Sequence, residues 1–559
     1  MKAQEITTSA DACYAAMKAR DARFDGCFFT GVTSTGIYCR PVCSARAPKR
    51  ENCRFFGHAA QAESAGFRPC LRCRPELAPH SVVWSIQDAS YILAHQAAKL
   101  LDEPEGWADM DAAPTLIASR MSLPPEGAVL VRGGPSLRTP SVEKLALKLG
   151  ISDRHLRRIF EAQFGVSPLQ YLQTRRLLTA KQLLADTQLP VTQVALMSGF
   201  ASVRRFNAAF ATHYKLNPTQ LRRAAPQAAV SDHGITVRLG YRPPYDVAAM
   251  LAFMETRRIK TIESITIESI AACAHEYWAR RTFGLEVAGK KHVGWLQMRF
   301  DEARHQLVLT ISDSLRGVLP LVIRRVRAAF DLDADPQAIN AVLHGDFPTG
   351  DGLRVPGALD GFELAVRAVL GQQITVAAAR TLAQRLVDKF GEPIQTPWPE
   401  LTRLFPSPSA LAVASGDALG QLGIVRQRQA AIVGLAKAVA GGLQLHGGAD
   451  VNATIEALKA LSGIGDWTAQ YIAMRALRWP DAFPAGDVAL HKILGVQGLK
   501  NPARLAEAAS LTWKPWRSYA VIRTWSGAWH GAETHPHPSP LPHAGEGWGE
   551  GNKLKQDTP

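Results

Sequence analysis

Apolar side chains recur at three- and four-residue intervals between about residues 84 and 224, as at Leu145, Leu149, Leu156, Ile159 and Phe160, the spacing that lines one face of an α-helix. Within that stretch two helix-turn-helix layouts stand out. Val142 to Leu149 leads through Gly150 to Ser152 into a helix over Asp153 to Phe160, and Val191 to Met197 leads through Gly199 to Ser202 into one over Val203 to Phe210. The glycine permits the tight turn, and Ser152 and Ser202 are predicted N-caps because a serine hydroxyl accepts from the free N–H groups of a first turn. A Pro- and Gly-bearing insert at about 104–139 interrupts the region and is expected to be loop or linker. After a second linker, Ala224 to Gly234, the period shortens: Ile235 to Leu239, Ile262 to Ile270 and His305 to Ser312 read as strands of an antiparallel sheet backed by helices. From Gly357 to about Trp529 the helical spacing returns, with Gly and Pro marking short turns.

The ends differ from this pattern. The first 80 residues hold short apolar pieces between turn residues, too little for a large core, so a covalent or metal staple is expected. The tail, 531–559, is rich in Pro, His and Gly and is predicted to be disordered, with no function assigned. The fold class is therefore multidomain α+β. A small stapled α/β domain spans 1–80, an all-α domain 84–224, an antiparallel-sheet α+β domain 235–345, and a helical domain 346–530.

Composition supports several cores: 47% of the 559 residues are hydrophobic and 20% charged, which excludes wholesale disorder. Lys+Arg 64 against Asp+Glu 49 gives 64 − 49 = +15, a field that favours a polyanion such as nucleic acid, solubility alone being the plainer account. No apolar run approaches the roughly 18 residues that span a bilayer, and Met1 to Arg20 lacks the layout of a signal peptide. A cytoplasmic, nucleoid-associated protein with no membrane partner is expected. Of eight cysteines, six lie between Cys27 and Cys73, which in a reducing compartment points to metal or thiol chemistry rather than disulfides.

Three residues separate Cys39 from Cys43, two separate Cys70 from Cys73, and 26 lie between the pairs. Two close pairs far apart can bring four thiolates to one tetrahedral ion, with zinc expected and an iron-sulfur centre the alternative. Cys13, Cys27 and Cys53 are left as packing thiols. Spacing alone is equally met by a purely structural zinc knuckle. The surrounding residues, TSTGIYCRPVCSAR at Thr33 to Arg46 and GFRPCLRCR at Gly66 to Arg74, resemble the amino-terminal domain of the Ada family of DNA-methylation sensors over about residues 10–79. That resemblance implies zinc held by Cys39, Cys43, Cys70 and Cys73, with Cys39 accepting a methyl group from a methylated backbone phosphate and Thr35, Arg46 and Arg68 near the DNA. Methylation would remove negative charge from the thiolate site and strengthen DNA binding.

The second helices of the two helix-turn-helix layouts carry Arg154, His155, Arg157 and Arg158, and Arg204, Arg205 and Asn207, side chains suited to phosphates and major-groove edges. GVSPLQYLQTRRLLTAKQLL after the first layout and NPTQLRR after the second resemble the AraC family of transcription regulators over about 84–223, with the insert as the departure. The resemblance implies promoter DNA, and further RNA polymerase, as partners.

Leu461-Ser462-Gly463-Ile464-Gly465 reads as a helix-hairpin-helix turn, in which Gly463 and Gly465 let backbone N–H groups approach a DNA phosphate. Asp487 follows Trp467 by twenty residues, in FPAGDVALHK, an arrangement that resembles the DNA glycosylase superfamily. GYRPPYDVAAMLAF at Gly240 to Phe253, VPGALDGFE at Val355 to Glu363, VLGQQITVAAA at Val369 to Ala379 and WKPWRSYAVIRTW at Trp513 to Trp525 resemble, in order, the AlkA type of 3-methyladenine DNA glycosylases over about 235–530. The resemblance implies excision of flipped, alkylated purines from double-stranded DNA, with Asp487 acting on the sugar and Trp467, Tyr471, Trp525 and Phe253 forming the base pocket. A cationic base leaves without a general acid, so one carboxylate suffices where glycoside hydrolysis generally uses two. As a helix N-cap, Asp487 also has a purely structural reading. Bifunctional relatives carry a lysine at the position of Trp467, so strand cleavage is not expected here.

Two residues depart from the family pattern: Gln373 stands where a leucine enters the base stack, and Val488 where a tyrosine follows the aspartate. Cys273, in AACAHE, does not match the Pro-Cys-His-Arg site of a second methyltransferase domain, and O6-methylguanine repair is not expected. The reading is a repair fusion for alkylated DNA with transcriptional control of the response. Its alternatives are a regulator whose glycosylase-like half only binds DNA, and a glycosylase whose front end is a targeting module with structural zinc.

Overall fold

The computed structural model describes residues 9–80, 89–102, 141–224, 234–271, 274–287 and 289–527. The 104–139 insert, the tail and Cys273 lie outside them. Strands β1 (Phe29–Val32), β2 (Ile37–Cys39), β3 (Cys53–Phe56) and β4 (Arg68–Pro69) form a sheet in the order β3-β1-β2-β4. Gly36, at φ 64, turns β1 into β2. β2 runs parallel to β4 with Tyr38 beside Pro69, so Cys39 and Cys70 leave the sheet at the same end.

Both helix-turn-helix layouts form. Helices Val142–Lys148 and Asp153–Phe164 make the first, Val191–Met197 and Val203–Tyr214 the second. Gly150 (φ 69) and Gly199 (φ 83) make the turns. Ser152 accepts from His155 N and Ser202 from Arg205 N, each at 3.2 Å. The second helices run four residues past the expected Phe160 and Phe210, because buried Phe164 and Tyr214 prolong their apolar faces. A 19-residue helix, Pro168–Asp186, joins the two layouts, opened by Pro168 and a capping box between Ser167 and Gln170.

Five strands, β5 (Ile235–Gly240), β6 (Glu263–Ala271), β7 (Ala274–Val287), β8 (Lys290–Asp301) and β9 (Gln306–Ile311), form an antiparallel sheet in the order β5-β9-β8-β7-β6. The long β7 and β8 were not among the expected strands. Helix Leu319–Ala329 buries Leu319, Val322 and Val326 in the core that holds Leu296, Leu307 and Leu309. The carboxy-terminal helices enclose a separate core, in which Gly361–Leu370 is buried along nearly its whole length.

The units are joined by buried polar contacts. Arg242, 0% exposed, donates to the carbonyls of Asp25, Pro79, His80, Asp333 and Ala334. Glu76 pairs with Lys181, and Arg74 with Asp186, between the cysteine domain and the long helix. Glu63 accepts from Tyr38 Oη at 3.0 Å and from Thr174 Oγ1 at 2.8 Å. Among the described residues no helix is long and apolar enough to cross a membrane.

Candidate active site and metal centre

The hairpin turn precedes helix Asp466–Arg475, with Gly465 at its N-cap and no side chain capping it, so its first N–H groups are open to a phosphate oxygen. Gly463 has φ 85, and a Cβ there would stand 3.0 Å from Ala431 Cβ. The second residue of the helix is Trp467, whose Nε1 donates to Asp487 Oδ2 at 3.0 Å. Trp525 Nε1, from helix Arg517–Trp525, donates to Oδ1 at 3.2 Å, and Leu490 N donates to the same oxygen at 3.1 Å. Asp487 is therefore both the N-cap of helix Val488–Ile493 and a carboxylate fixed inside a cavity of about 420 Å³ lined by Phe253, Trp467, Tyr471 and Trp525. The structural and functional readings of this aspartate describe one geometry.

The aromatic side chains gather as the sequence suggested, yet they leave no slot between one pair. Trp467 and Tyr471 stack at 5.2 Å with planes 13° apart, and Tyr471 and Trp525 lie 6.2 Å apart at 38°. A base between two rings needs about 7 Å, two contacts of about 3.5 Å, so it stacks on an outer face or the rings part.

Sequence reasoning missed two arginines. Arg257 Cζ lies 3.7 Å from the centre of the Phe253 ring, and Arg475 Cζ lies 4.9 Å from it. Each stands four residues after an expected pocket aromatic, Phe253 and Tyr471, and helical spacing was the available signal. Arg475 also donates to the Tyr471 hydroxyl and to Pro356 O. Burial acts to raise the Tyr471 pKa, but the nearby charges of Arg475 and Arg257 prevail and lower it.

Gln373 is exposed, at φ 54, in the turn before helix Val376–Phe390. Its neighbour Gln372 ties that turn to the hairpin, donating to Gly463 O at 2.9 Å and Thr468 Oγ1 at 3.0 Å. Val488 is 67% exposed beside Asp487. Arg154, Arg157, Arg204 and Arg205 are all exposed near the starts of the second helices of their layouts. Thr35 and Arg46 are exposed, and Arg68 is half-buried on β4.

The Sγ atoms of Cys39, Cys43, Cys70 and Cys73 all lie within 4.8 Å of one another. Tetrahedral zinc with bonds of about 2.3 Å needs sulfurs about 3.8 Å apart, so the donor set fits that ion. Contacts among the sulfurs draw the Cys43 thiol down to about 7 and push the Cys39 thiol up, as for groups too close to ionise together without a cation. Cys13 and Cys53 are buried away from this set, and burial pushes the Cys27 thiol up to about 11.

The chain matches four family descriptions: "Metal binding domain of Ada" at residues 12–76, "Helix-turn-helix domain" at 145–224, "AlkA N-terminal domain" at 236–360, and "HhH-GPD superfamily base excision DNA repair protein" at 366–518. It is 34% identical over 535 residues to the "Probable bifunctional transcriptional activator/DNA repair enzyme AlkA" of Mycobacterium tuberculosis, covering 94% of this chain and 97% of that one. DNA-3-methyladenine glycosylase 2 of Escherichia coli is 34% identical over 288 residues, covering 51% of this chain and 95% of its own. The bifunctional transcriptional activator/DNA repair enzyme Ada of the same organism is 32% identical over 183 residues, covering 33% of this chain and 40% of its own. With a four-cysteine cluster that fits a metal ion, paired helix-turn-helix units and a helix-hairpin-helix domain in one polypeptide, the chain belongs to the bifunctional Ada/AlkA family of transcriptional activators and DNA alkylation repair enzymes.

Proposed function

We propose that the carboxy-terminal half hydrolyses the N-glycosidic bond of alkylated purines flipped out of duplex DNA, and that Asp487 is its catalytic carboxylate. The observation that carries this is the fixing of Asp487 by two indole N–H groups and a helix N-terminus inside an aromatic cavity. A cationic 3-methyladenine or 7-methylguanine takes the bonding electrons of the glycosidic bond as it leaves. The carboxylate stabilises the positive charge left on the sugar and orients a water that attacks it, accepting a proton as the new C–O bond forms. The indole donors hold both carboxylate oxygens in place, so little reorganisation accompanies the charge change. The open N–H groups after Gly465 hold a phosphate, and Gln373 fills the gap left by the extruded base. No lysine lies at Trp467, so no Schiff base forms and the strand stays intact.

The amino-terminal domain is read as a stoichiometric methyl acceptor. Zinc held by Cys39, Cys43, Cys70 and Cys73 would keep the four sulfurs as thiolates at neutral pH. The Arg40 backbone N–H donates to Cys73 Sγ at 3.3 Å, and such a bond lowers a sulfur's nucleophilicity. Cys39 Sγ forms a bond to the methyl carbon of a methylphosphotriester as the C–O bond breaks and the phosphodiester anion departs. Thr35, Arg46 and Arg68 would hold the DNA backbone, and Arg154, Arg157, Arg204 and Arg205 a promoter site, with RNA polymerase the partner of an activator.

The test is release of free base from methylated duplex DNA by the wild type and by Asp487→Asn, with peptide masses taken from the same samples. Release that the substitution reduces at least 100-fold, with one methyl on the Cys39 peptide, is expected. No release by the wild type leaves a DNA-binding regulator as the account, and an unmethylated Cys39 leaves a structural zinc domain.

A further inference from the structure

Gln373 stands at φ 54 in the turn between helices Gly361–Leu370 and Val376–Phe390, a left-handed conformation that a residue with a side chain keeps only where its surroundings hold it. The holding group is its neighbour. The side-chain amide nitrogen of Gln372 donates to Gly463 O at 2.9 Å and to Thr468 Oγ1 at 3.0 Å, while the Arg428 guanidinium donates to the backbone carbonyl of Gln372. Arg428 belongs to helix Arg426–Ala440, whose Ala431 lies against Gly463. Three segments distant in sequence, the turn, the hairpin and that helix, are thus tied together at one residue.

The hairpin end of this tie is rigid. The peptide between Gly463 and Ile464 is fixed on both sides, its carbonyl by Gln372 and its N–H by Leu461 O at 3.1 Å, so a shift of the hairpin toward a phosphate carries Gln372 with it. Thr468 adjoins Trp467, the donor to Asp487 Oδ2. Gln372 therefore stands between the turn that grips the DNA backbone, the side chain that fills the gap and the helix that fixes the carboxylate. From this juxtaposition, and resting on the glycosylase reading above, we propose that Gln372 is a positioning residue for base extrusion. It holds Gln373 in its inserting conformation and makes insertion depend on the hairpin's hold on a phosphate, acting through Gln373 rather than on the base.

The experiment is a double-mutant cycle on the full-length protein. It reads single-turnover release of 7-methylguanine from duplex DNA and, on duplex with a tetrahydrofuran abasic analogue, the fluorescence of a 2-aminopurine placed opposite the analogue, which reports insertion into the gap. Gln372→Met removes the amide donors at nearly the same length. Release is expected to fall about tenfold in Gln372→Met, the scale of two lost hydrogen bonds between neutral groups, and by a similar factor in Gln373→Ala. The double variant should lose no more than Gln373→Ala alone, because a residue that acts only through another adds nothing once that one is gone. The 2-aminopurine change produced by saturating wild type should be lost in both single variants. Arg428→Met frees the same turn from its other side and runs the same cycle should Gln372→Met fold poorly. Losses that multiply in the double variant, or release by Gln372→Met within twofold of wild type, overturn the assignment, as does full activity in Gln373→Ala. Wild-type protein that releases no base overturns the glycosylase reading itself, a distinct outcome from an additive cycle.

Discussion

At the scale of single residues, the site turns on how one carboxylate is held. Asp487 receives three N–H donors from three separate segments, so its position depends on the packing of the whole helical domain rather than on its own loop. Replacing Trp525 with Phe keeps a ring against the cavity and removes the donor to Oδ1. A hydrogen bond to a charged group contributes about 1.5–3 kcal/mol, so single-turnover base release by Trp525→Phe should fall roughly 10- to 100-fold. Binding of undamaged duplex should change little, and a rate within twofold of wild type would show that the indole N–H does not matter. The sequence motifs brought out Asp487, Trp467, Tyr471, Trp525 and Phe253, which the structure gathers around one cavity. Arg257 and Arg475 escaped notice because an arginine four residues after an aromatic is common both on a helix, as at Arg475, and in the turn that ends one, as at Arg257. Its meaning emerges only when the ring is known to face a cavity.

At the scale of elements, the helix-turn-helix units were the most legible part of the chain, since Ser152, Ser202, Gly150 and Gly199 each mark a boundary through local chemistry alone. The sheet was legible in part. β8 buries Leu296, Met298 and Phe300 in alternation, but Lys290, Lys291 and His292 begin the strand. β7 carries Arg280 and Arg281, and Arg281 is there to pair with Glu263 and Glu363, remote in sequence. Such pairing is a tertiary fact that no local period reveals. The hairpin turn invites its own test. Gly463→Ala would place a methyl group 3.0 Å from Ala431 Cβ at φ 85, a strain of about 1–2 kcal/mol. Its expected signature is weaker binding to DNA of any sequence, measured by fluorescence anisotropy, with base release at saturating DNA within a few-fold of wild type. Unaltered affinity would separate the turn from phosphate binding.

At the scale of the molecule, the cysteine domain and the helix-turn-helix region meet at Glu63, buried between Tyr38 and Thr174. Burial raises its pKa from 4.5 to about 7, against the lowering effect of the Thr174 and Tyr38 hydrogen bonds. The unfolded chain therefore loses this proton first as pH rises. Stability associated with Glu63 is fully present below about 4.5 and is lost as pH climbs through about 7. Glu63→Gln has no proton to lose, so its melting temperature relative to wild type should increase between pH 5 and pH 7.5. A difference that is flat across that range would mean the carboxyl ionises normally in the folded protein.

Arg242 gives the assembled chain a further property. Its guanidinium joins the cysteine domain to the glycosylase half through the carbonyls of Asp25, Pro79, His80, Asp333 and Ala334, none of which carries a formal charge. Dissolved salt competes strongly with contacts to DNA phosphates but only weakly with a buried joint of this kind. Ionic strength that releases the protein from DNA should leave its halves together. On the proposed function the two chemistries would share a single diffusing body: wherever the cysteine domain settled on a methylated backbone, the excision cavity would arrive at an effective local concentration fixed by the molecule's own dimensions, independent of how many copies are in solution.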